Sequence, residues 1–418
     1  MMTGMMRWVN SEYVPITEDE RVGLCRKTLQ EDDTTNVYTN INWDNKECKK
    51  SDGSDKDKGN GKLLVVTPHT AAFLIKMQKL SLDLFLMEPY DYVVYDDSYT
   101  HAHFSNWNVA DVPSIIKNVT ESIGGIYKRA PMSFHADRRC LFPQTIEPYS
   151  NNANTRCSDI YQFIYRDNDV QCRNGKVLFL DADVFLISPY YPSKSIVGPK
   201  VKKVDGSGSG SGSSEEEEKY VMASVPQNRP HPPDPKFNNG ISNITYFWTA
   251  VNLMDIPKLP ARNDMNWDCG AVYYPTKTIY LDSGGHTYEW INKYKPNIHW
   301  YDVKYIYDIA EAEKNSENGD WSEMKNEKHV HGHIWKWFAV EWQKIYSSHK
   351  LYDLEFKSQL LGGLFLHLRN AGNWMQHGKK YKWIQPEQAK LINRLFDRLK
   401  KIHHPQQQQQ EHQEHQDK

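Results

Sequence analysis

Two carboxylates, Asp181 and Asp183, directly follow an apolar run in VLFLDADVFLISP at Val177–Pro189. A run of that kind predicts a buried strand, and in a strand residues two apart point to the same side. Both acids are therefore expected to converge where the strand ends. Two acids leaving a buried strand are costly unless a cation compensates them. A divalent ion is the natural compensation. Oxygen ligands suit Mg²⁺ or Mn²⁺, and either ion can also hold phosphate oxygens. The plainer alternative is that the pair caps or anchors a loop.

Other polar groups fall at similar places. Thr67 ends the apolar run KLLVVT at 62–67 and His69 comes just after it, and Asp96-Asp97 follow YVVY at 92–95. Thr67 and His69 are expected to approach a nucleotide. Asp96 and Asp97 could accept hydrogen bonds from ribose hydroxyls or a base N–H, or simply begin a turn. Asp282-Ser283-Gly284-Gly285 precedes a stretch containing Tyr288, Glu289 and Trp290. Paired glycines let a backbone approach a ligand closely, and a helix start attracts anions. The alternative is an N-cap by Asp282 or Ser283. If a hydroxyl must be deprotonated at this site, Asp282 and Glu289 are the candidate general bases. His329, His331 and His333 alternate as metal ligands on one side of a strand would, but their lysine- and glutamate-rich setting reads as a solvated loop.

The elements that must hold these residues alternate between strand and helix. Lys62–Thr67 reads as a parallel strand covered on both faces. Thr70–Met87 reads as a helix and Tyr92–Tyr95 as a second strand. A helix over Val112–Ile123 has Asp111 as N-cap and Pro113 in its first turn. Another spans Thr155–Arg166, with Cys157, Ile160, Tyr161 and Ile164 on one face. Lys176–Leu180 is the next buried strand. Tyr220–Val225, Tyr246–Met254 and Leu360–Leu368 read as later strands, Gly285–Lys295 as a short helix and Pro386–Ile402 as a terminal amphipathic helix. The order predicts an α/β fold: a Rossmann-like, mostly parallel sheet with helices on both faces, its ligands at the carboxyl ends of the strands. Residues 1–61 form an N-terminal extension ending in a polar loop, 49–61. A catalytic domain is expected over 62–402, interrupted by a disordered glycine-, serine- and glutamate-rich linker, 202–219. A disordered Gln/His-rich tail, 403–418, follows.

LFLDADVFLISP resembles the DXD segment of GT-A-type glycosyltransferases, including the glycogenin-like and galactosyltransferase-like families. The resemblance runs, in order of elements, from Leu63 to Trp374. It implies a nucleotide-sugar-dependent transferase in which Asp181 and Asp183 bind Mn²⁺ or Mg²⁺, and the metal grips the diphosphate of a UDP-linked donor. A helix carrying Arg156 and Asp159 leads into the DXD strand, as in that group, which implies donor contacts for both. By the same resemblance YFWTAVNLM at Tyr246–Met254 lines the sugar and acceptor pocket, through Trp248, Thr249 and Asn252. GLFLHLRNAGNW at Gly363–Trp374 is similar to the late strand that supplies a histidine, which makes His367 the third metal ligand. The glycine and lysine that follow this histidine in glycogenin-like enzymes are not cleanly matched. Arg369, Lys379 and Lys380 are then alternative diphosphate contacts.

Composition fits without deciding the matter. Lys and Arg total 51 against 53 Asp and Glu, a net charge of −2, so nucleic acid is not an expected partner. Thirteen Trp and 25 Tyr suit either a large-residue core or stacking on sugar rings. The six cysteines, at 25, 48, 140, 157, 172 and 269, lack the close spacing of a zinc site. Two acceptor tripeptides for glycosylation begin at Asn118 and Asn243. No secretory signal or transmembrane segment is read, so a cytoplasmic location is the default expectation. Two rival readings share the same residues: a HAD-like phosphatase with Asp181 as nucleophile and Asp183 as acid, and a non-catalytic carbohydrate-binding protein on the transferase fold.

Overall fold

The computed structural model describes residues 6–9, 12–15, 62–70, 72–98, 113–130, 153–202, 215–230, 243–273, 278–305, 337–338, 340–341, 344, 358–368, 390–398 and 401. The first strands, β1 (Met6–Val9) and β2 (Glu12–Pro15), pair only with each other.

The alternation predicted from sequence is present. β3 (Leu63–His69), α1 (Ala72–Phe85), β4 (Tyr90–Asp96), α2 (Pro113–Ser122) and β5 (Ile126–Arg129) follow in order. Next come α3 (Ala153–Arg166), the short α4 (Asn168–Gln171), β6 (Lys176–Leu180) and β7 (Val184–Leu186). α5 (Pro192–Ser195), β8 (Val197–Lys202) and β9 (Glu215–Lys219) lead to β10 (Met222–Pro230) and the long β11 (Asn243–Asp255). After β12 (Gly270–Tyr273) and β13 (Thr278–Leu281) come α6 (Thr287–Tyr294), β14 (Ile298–Trp300) and β15 (Val303–Tyr305), then β16 (Gln359–Leu361) and β17 (Phe365–His367).

A seven-stranded sheet in the order β14-β10-β11-β6-β3-β4-β5 forms the centre. Only β11 runs against its neighbours. The chain steps outward from β3 to β4 to β5, then returns to place β6 on the other side of β3. The order thus reverses between β3 and β6. The crevice outside the carboxyl ends at such a reversal is where open α/β sheets take their ligands.

Both faces of the sheet are covered, so Leu63–Val66 of β3 and Val177–Leu180 of β6 are continuously apolar. On one face α1 buries Leu74, Ile75, Leu82 and Phe85 beside Phe185, Leu366, Leu395 and Phe396. On the other, Ile160, Tyr161 and Ile164 of α3 pack with Trp267 and Trp290. Phe179 of β6 stacks on Trp267, with centroids 5.9 Å apart.

Two expectations are corrected. Leu360–Leu368 is not one strand but the hairpin β16–β17. Gly362 and Gly363 at its turn take φ of 57° and 69°, a conformation open chiefly to glycine. The acid run at the end of the expected linker is not free chain. Glu215–Lys219 pairs antiparallel with β8, in a register that sets Lys200 opposite Glu217 and Lys202 opposite Glu215. The Asp111 cap and the 403–418 tail lie outside the described residues.

Candidate functional site

The Asp-x-Asp segment is a turn rather than the end of a strand. β6 stops at Leu180, Val184 N–H closes back on the Asp181 carbonyl at 3.2 Å, and β7 enters a second, four-stranded sheet, β15-β16-β17-β7. The two acids are therefore brought close by a turn between sheets and not by strand pleating. Asp181 N–H is held by the Ala250 carbonyl of β11 at 3.0 Å. The Asp181 Oδ1 accepts the Ala182 N–H at 2.8 Å.

Gln78 of α1 fixes this turn from below. Its Nε2 donates to the carbonyls of both Asp181 and Val184, each at 2.8 Å. That sets the amide orientation, so its Oε1 must accept. It takes the Tyr92 hydroxyl at 2.9 Å and His69 Nε2 at 3.1 Å. His69 consequently carries its proton on Nε2. Among the described residues neither His69 Nδ1 nor Thr67 Oγ1 has a hydrogen-bond partner.

Burial lowers the His69 pKa to about 4, against an opposing pull from Gln78 and Asp183. A histidine kept neutral in the fold but free to protonate when unfolded stabilises the fold fully above its unfolded pKa. That contribution is lost as pH falls toward the folded value. Stability measured by urea denaturation is expected to decline between about pH 6.5 and pH 4, and His69→Asn to flatten that decline.

The second sheet brings His367 to the turn. β17 pairs with β7 so that His367 lies opposite Val184, and Leu368 N–H donates to the Asp183 carbonyl at 2.9 Å. His367 Nε2 stands 3.4 Å from Asp183 Oδ1. Its Nδ1 meets Gln359 Oε1 at 2.9 Å, and Trp248 packs edge-on to its ring at 4.9 Å between centroids. An imidazole donating from Nδ1 to the Gln359 carbonyl presents the Nε2 lone pair to a carboxylate oxygen. Two acceptors facing each other call for a proton or a cation between them. Burial first, and then the charge of Asp183, push the Asp181 carboxyl well above the usual carboxylate range, while His367 opposes this.

The donor types at the turn suit a divalent ion. Two carboxylates and one oriented imidazole supply hard oxygen and borderline nitrogen donors, as Mn²⁺ accepts. Among the described residues, however, no three His, Cys, Asp or Glu side chains are grouped so that they could hold a metal ion by themselves. Ions that bind through few protein ligands plus phosphate and water do not require such a group. Gln359→Leu would leave His367 unoriented, and is expected to weaken Mn²⁺ binding about 10–100-fold by calorimetry, the usual cost of losing an outer partner.

The other expected residues divide. Cys157 and Tyr161 of α3 reach the site: the thiol lies 3.9 Å from Thr249 Oγ1, and the Tyr161 hydroxyl donates to the Thr249 carbonyl at 2.7 Å. The same helix register turns the buried Asp159 roughly 200° round the axis from Cys157. The Arg156 side chain is outside the described residues. Asp96 and Asp97 do sit at the carboxyl end of β4. Asp96 is already engaged, by the Tyr127 hydroxyl at 2.7 Å and Ser98 N–H at 2.8 Å, and Asp97 N–H bonds the His69 carbonyl. Trp248 stands beside His367. Asn252 is fully buried, its amide taken by the Ser224 hydroxyl and the Trp248 carbonyl within the sheet. Arg369, Lys379, Lys380 and the histidines at 329, 331 and 333 lie outside the described residues.

The glycine turn before α6 does not offer an anion site. The N–H groups from Ser283 through Glu289 are all satisfied within the protein. Nor does Asp282 or Ser283 cap the helix, whose N-cap is His286 with no side-chain bond. The glycines serve packing instead: Gly284 N–H bonds the Trp267 carbonyl, and a Cβ at Gly284 would meet the Phe247 carbonyl oxygen at 2.4 Å. Asp282 is half-buried, with Gln227 Nε2 at 3.4 Å from its Oδ2. Glu289 is 71% exposed and pairs with His286.

An open groove of about 600 Å³ lined by Lys62, Lys79, Tyr90 and Ile126 lies at the amino ends of β3, β4 and β5, away from these residues. The Asp181–Asp183 turn lies at the opposite end of the sheet, so the groove is not part of the candidate site. No helix among the described residues is long and apolar enough to cross a membrane. Cys172 is disulfide-bonded, a state favoured in oxidising compartments. No known family's model matches this chain, and no curated protein matches it either.

Proposed function

We propose that this protein is a metal-dependent glycosyltransferase that moves a sugar from a nucleoside diphosphate sugar to an acceptor hydroxyl. The observation that carries this reading is the meeting of Asp181, Asp183 and His367 at the carboxyl end of β6, beside the point where the strand order reverses. Asp181, Asp183 and His367 would hold Mn²⁺ or Mg²⁺, which when bound supplies positive charge to the leaving nucleoside diphosphate. Gln78 and Gln359 hold the ligands in place before substrate arrives, so little reorganisation is needed. Trp248 presents an aromatic surface beside the site for a sugar ring. Asp282 is placed better than the exposed Glu289 to take a proton from an acceptor hydroxyl.

Incubating the protein with Mn²⁺ and a panel of UDP-sugars, with released UDP as the readout, tests this. Turnover with at least one donor, abolished by chelation, is the expected result. Hydrolysis of p-nitrophenyl phosphate without turnover of any nucleotide sugar would replace this reading with the phosphatase.

A further inference from the structure

β10 carries two buried polar atoms without partners. Among the described residues nothing hydrogen-bonds to Gln227 Oε1, an acceptor, or to Arg229 Nε, a donor. Two residues apart in a regularly paired stretch, the two side chains share one face of the strand. Arg229 is half-buried and neighbours the Tyr246 phenol, to which it is hydrogen-bonded. Among the described residues no carboxylate pairs with it. The nearest described carboxylate, Asp282, is held by Gln227 Nε2 rather than by the guanidinium, and an orphaned donor beside an orphaned acceptor asks for a ligand that supplies both.

The position is at the crevice. Gln227 Nε2 approaches Asp282, and Tyr246 OH accepts the Asp282 N–H at 3.1 Å. Tyr246 lies four residues before Ala250, whose carbonyl holds Asp181, so at most about 13 Å of strand separates the two places.

We propose that Gln227 and Arg229 form a substrate subsite for an anionic oxygen next to a hydroxyl, as in a uronic acid or a sugar phosphate. The hydroxyl donates to Gln227 Oε1 and the anion accepts from the Arg229 guanidinium. This deepens the transferase reading by making the acceptor an acidic saccharide. The donor's own phosphate is the other source of the same chemistry.

The test uses two probes: glucuronate without metal, followed by saturation-transfer NMR, and UDP with Mn²⁺, followed by calorimetry. The proteins are the wild type, Arg229→Gln, Gln227→Leu and Asp183→Asn, each first checked for a cooperative melt. Should Arg229→Gln fail to fold, Gln227→Leu carries the test. The expected result is that glucuronate binds the wild type and Asp183→Asn and is weakened about tenfold or more by either β10 substitution, the scale of one charge-assisted hydrogen bond. UDP binding should then stay within about twofold in the β10 variants. Loss of UDP binding in Arg229→Gln, with no glucuronate binding anywhere, keeps the subsite and assigns it to the donor. Glucuronate binding that depends on Arg229 in a protein that never binds UDP keeps the subsite and ends the transferase reading. If neither probe distinguishes the β10 variants from wild type, the subsite is overturned.

Discussion

Asp181→Asn is expected to raise the melting temperature of the metal-free protein by about 2–4 °C at neutral pH, and to reduce Mn²⁺ affinity by more than the roughly 10–100-fold that loss of an outer partner costs. Asp181 is crowded by protein and by a second carboxylate, and its proton is held more tightly than in the unfolded chain. An acid whose folded pKa is raised favours the fold below that pKa and costs stability as pH rises through it. Asparagine keeps the shape and the bond from Ala182 N–H but carries no charge. The stability gap between variant and wild type should therefore widen from mildly acidic to neutral pH, and close when Mn²⁺ is added to the wild type. Thermal melts at several pH values with and without Mn²⁺ measure this. A variant that melts lower than wild type at neutral pH would show that Asp181 is a structural anchor, as the plainer reading of the pair has it.

Gly284→Ala is expected to cost about 2–4 kcal/mol by urea denaturation, the combined scale of overpacking and of a left-handed backbone for a residue with a Cβ. Gly284 has φ of 83°, and its missing Cβ leaves room for the Phe247 carbonyl. The oxygen that blocks the methyl belongs to the backbone of β11, so no rotamer change relieves the clash. Gly363→Ala offers a comparison: φ there is 69°, but nothing lies within 4 Å of the added carbon. It should pay only the backbone cost of about 1–2 kcal/mol.

How far the sequence reaches is clearest at the central strands. Leu63–His69, Tyr90–Asp96 and Lys176–Leu180 are buried on both faces, and continuous apolar runs report that directly. Asp181 and Asp183 were legible because charge next to such a run is conspicuous. The mechanism by which they meet was not: a turn between two sheets leaves the same letters as the end of one strand. β7 and β17 have three residues each, too few for periodicity to register, and they are what brings His367 to Asp183. Gln78 and Gln359 act through contacts 103 to 106 and 8 residues distant in the chain. A polar residue in a helix or short strand carries no sign of such a partner. The Gly-Gly pair before α6 read as a ligand loop because glycine permits close approach of any backbone, and sequence does not say whether ligand or protein approaches. Asn252 shows the converse: its pairing with Ser224 across β10 and β11 consumes the side chain that a pocket would have used.

The most direct measurement is calorimetric binding of UDP, with and without Mn²⁺, to the wild type and to Asp183→Ala. Metal-dependent nucleotide binding in the wild type, lost in the variant, is the predicted result. No nucleotide binding under any metal condition, or equal binding by both proteins, would contradict the transferase account.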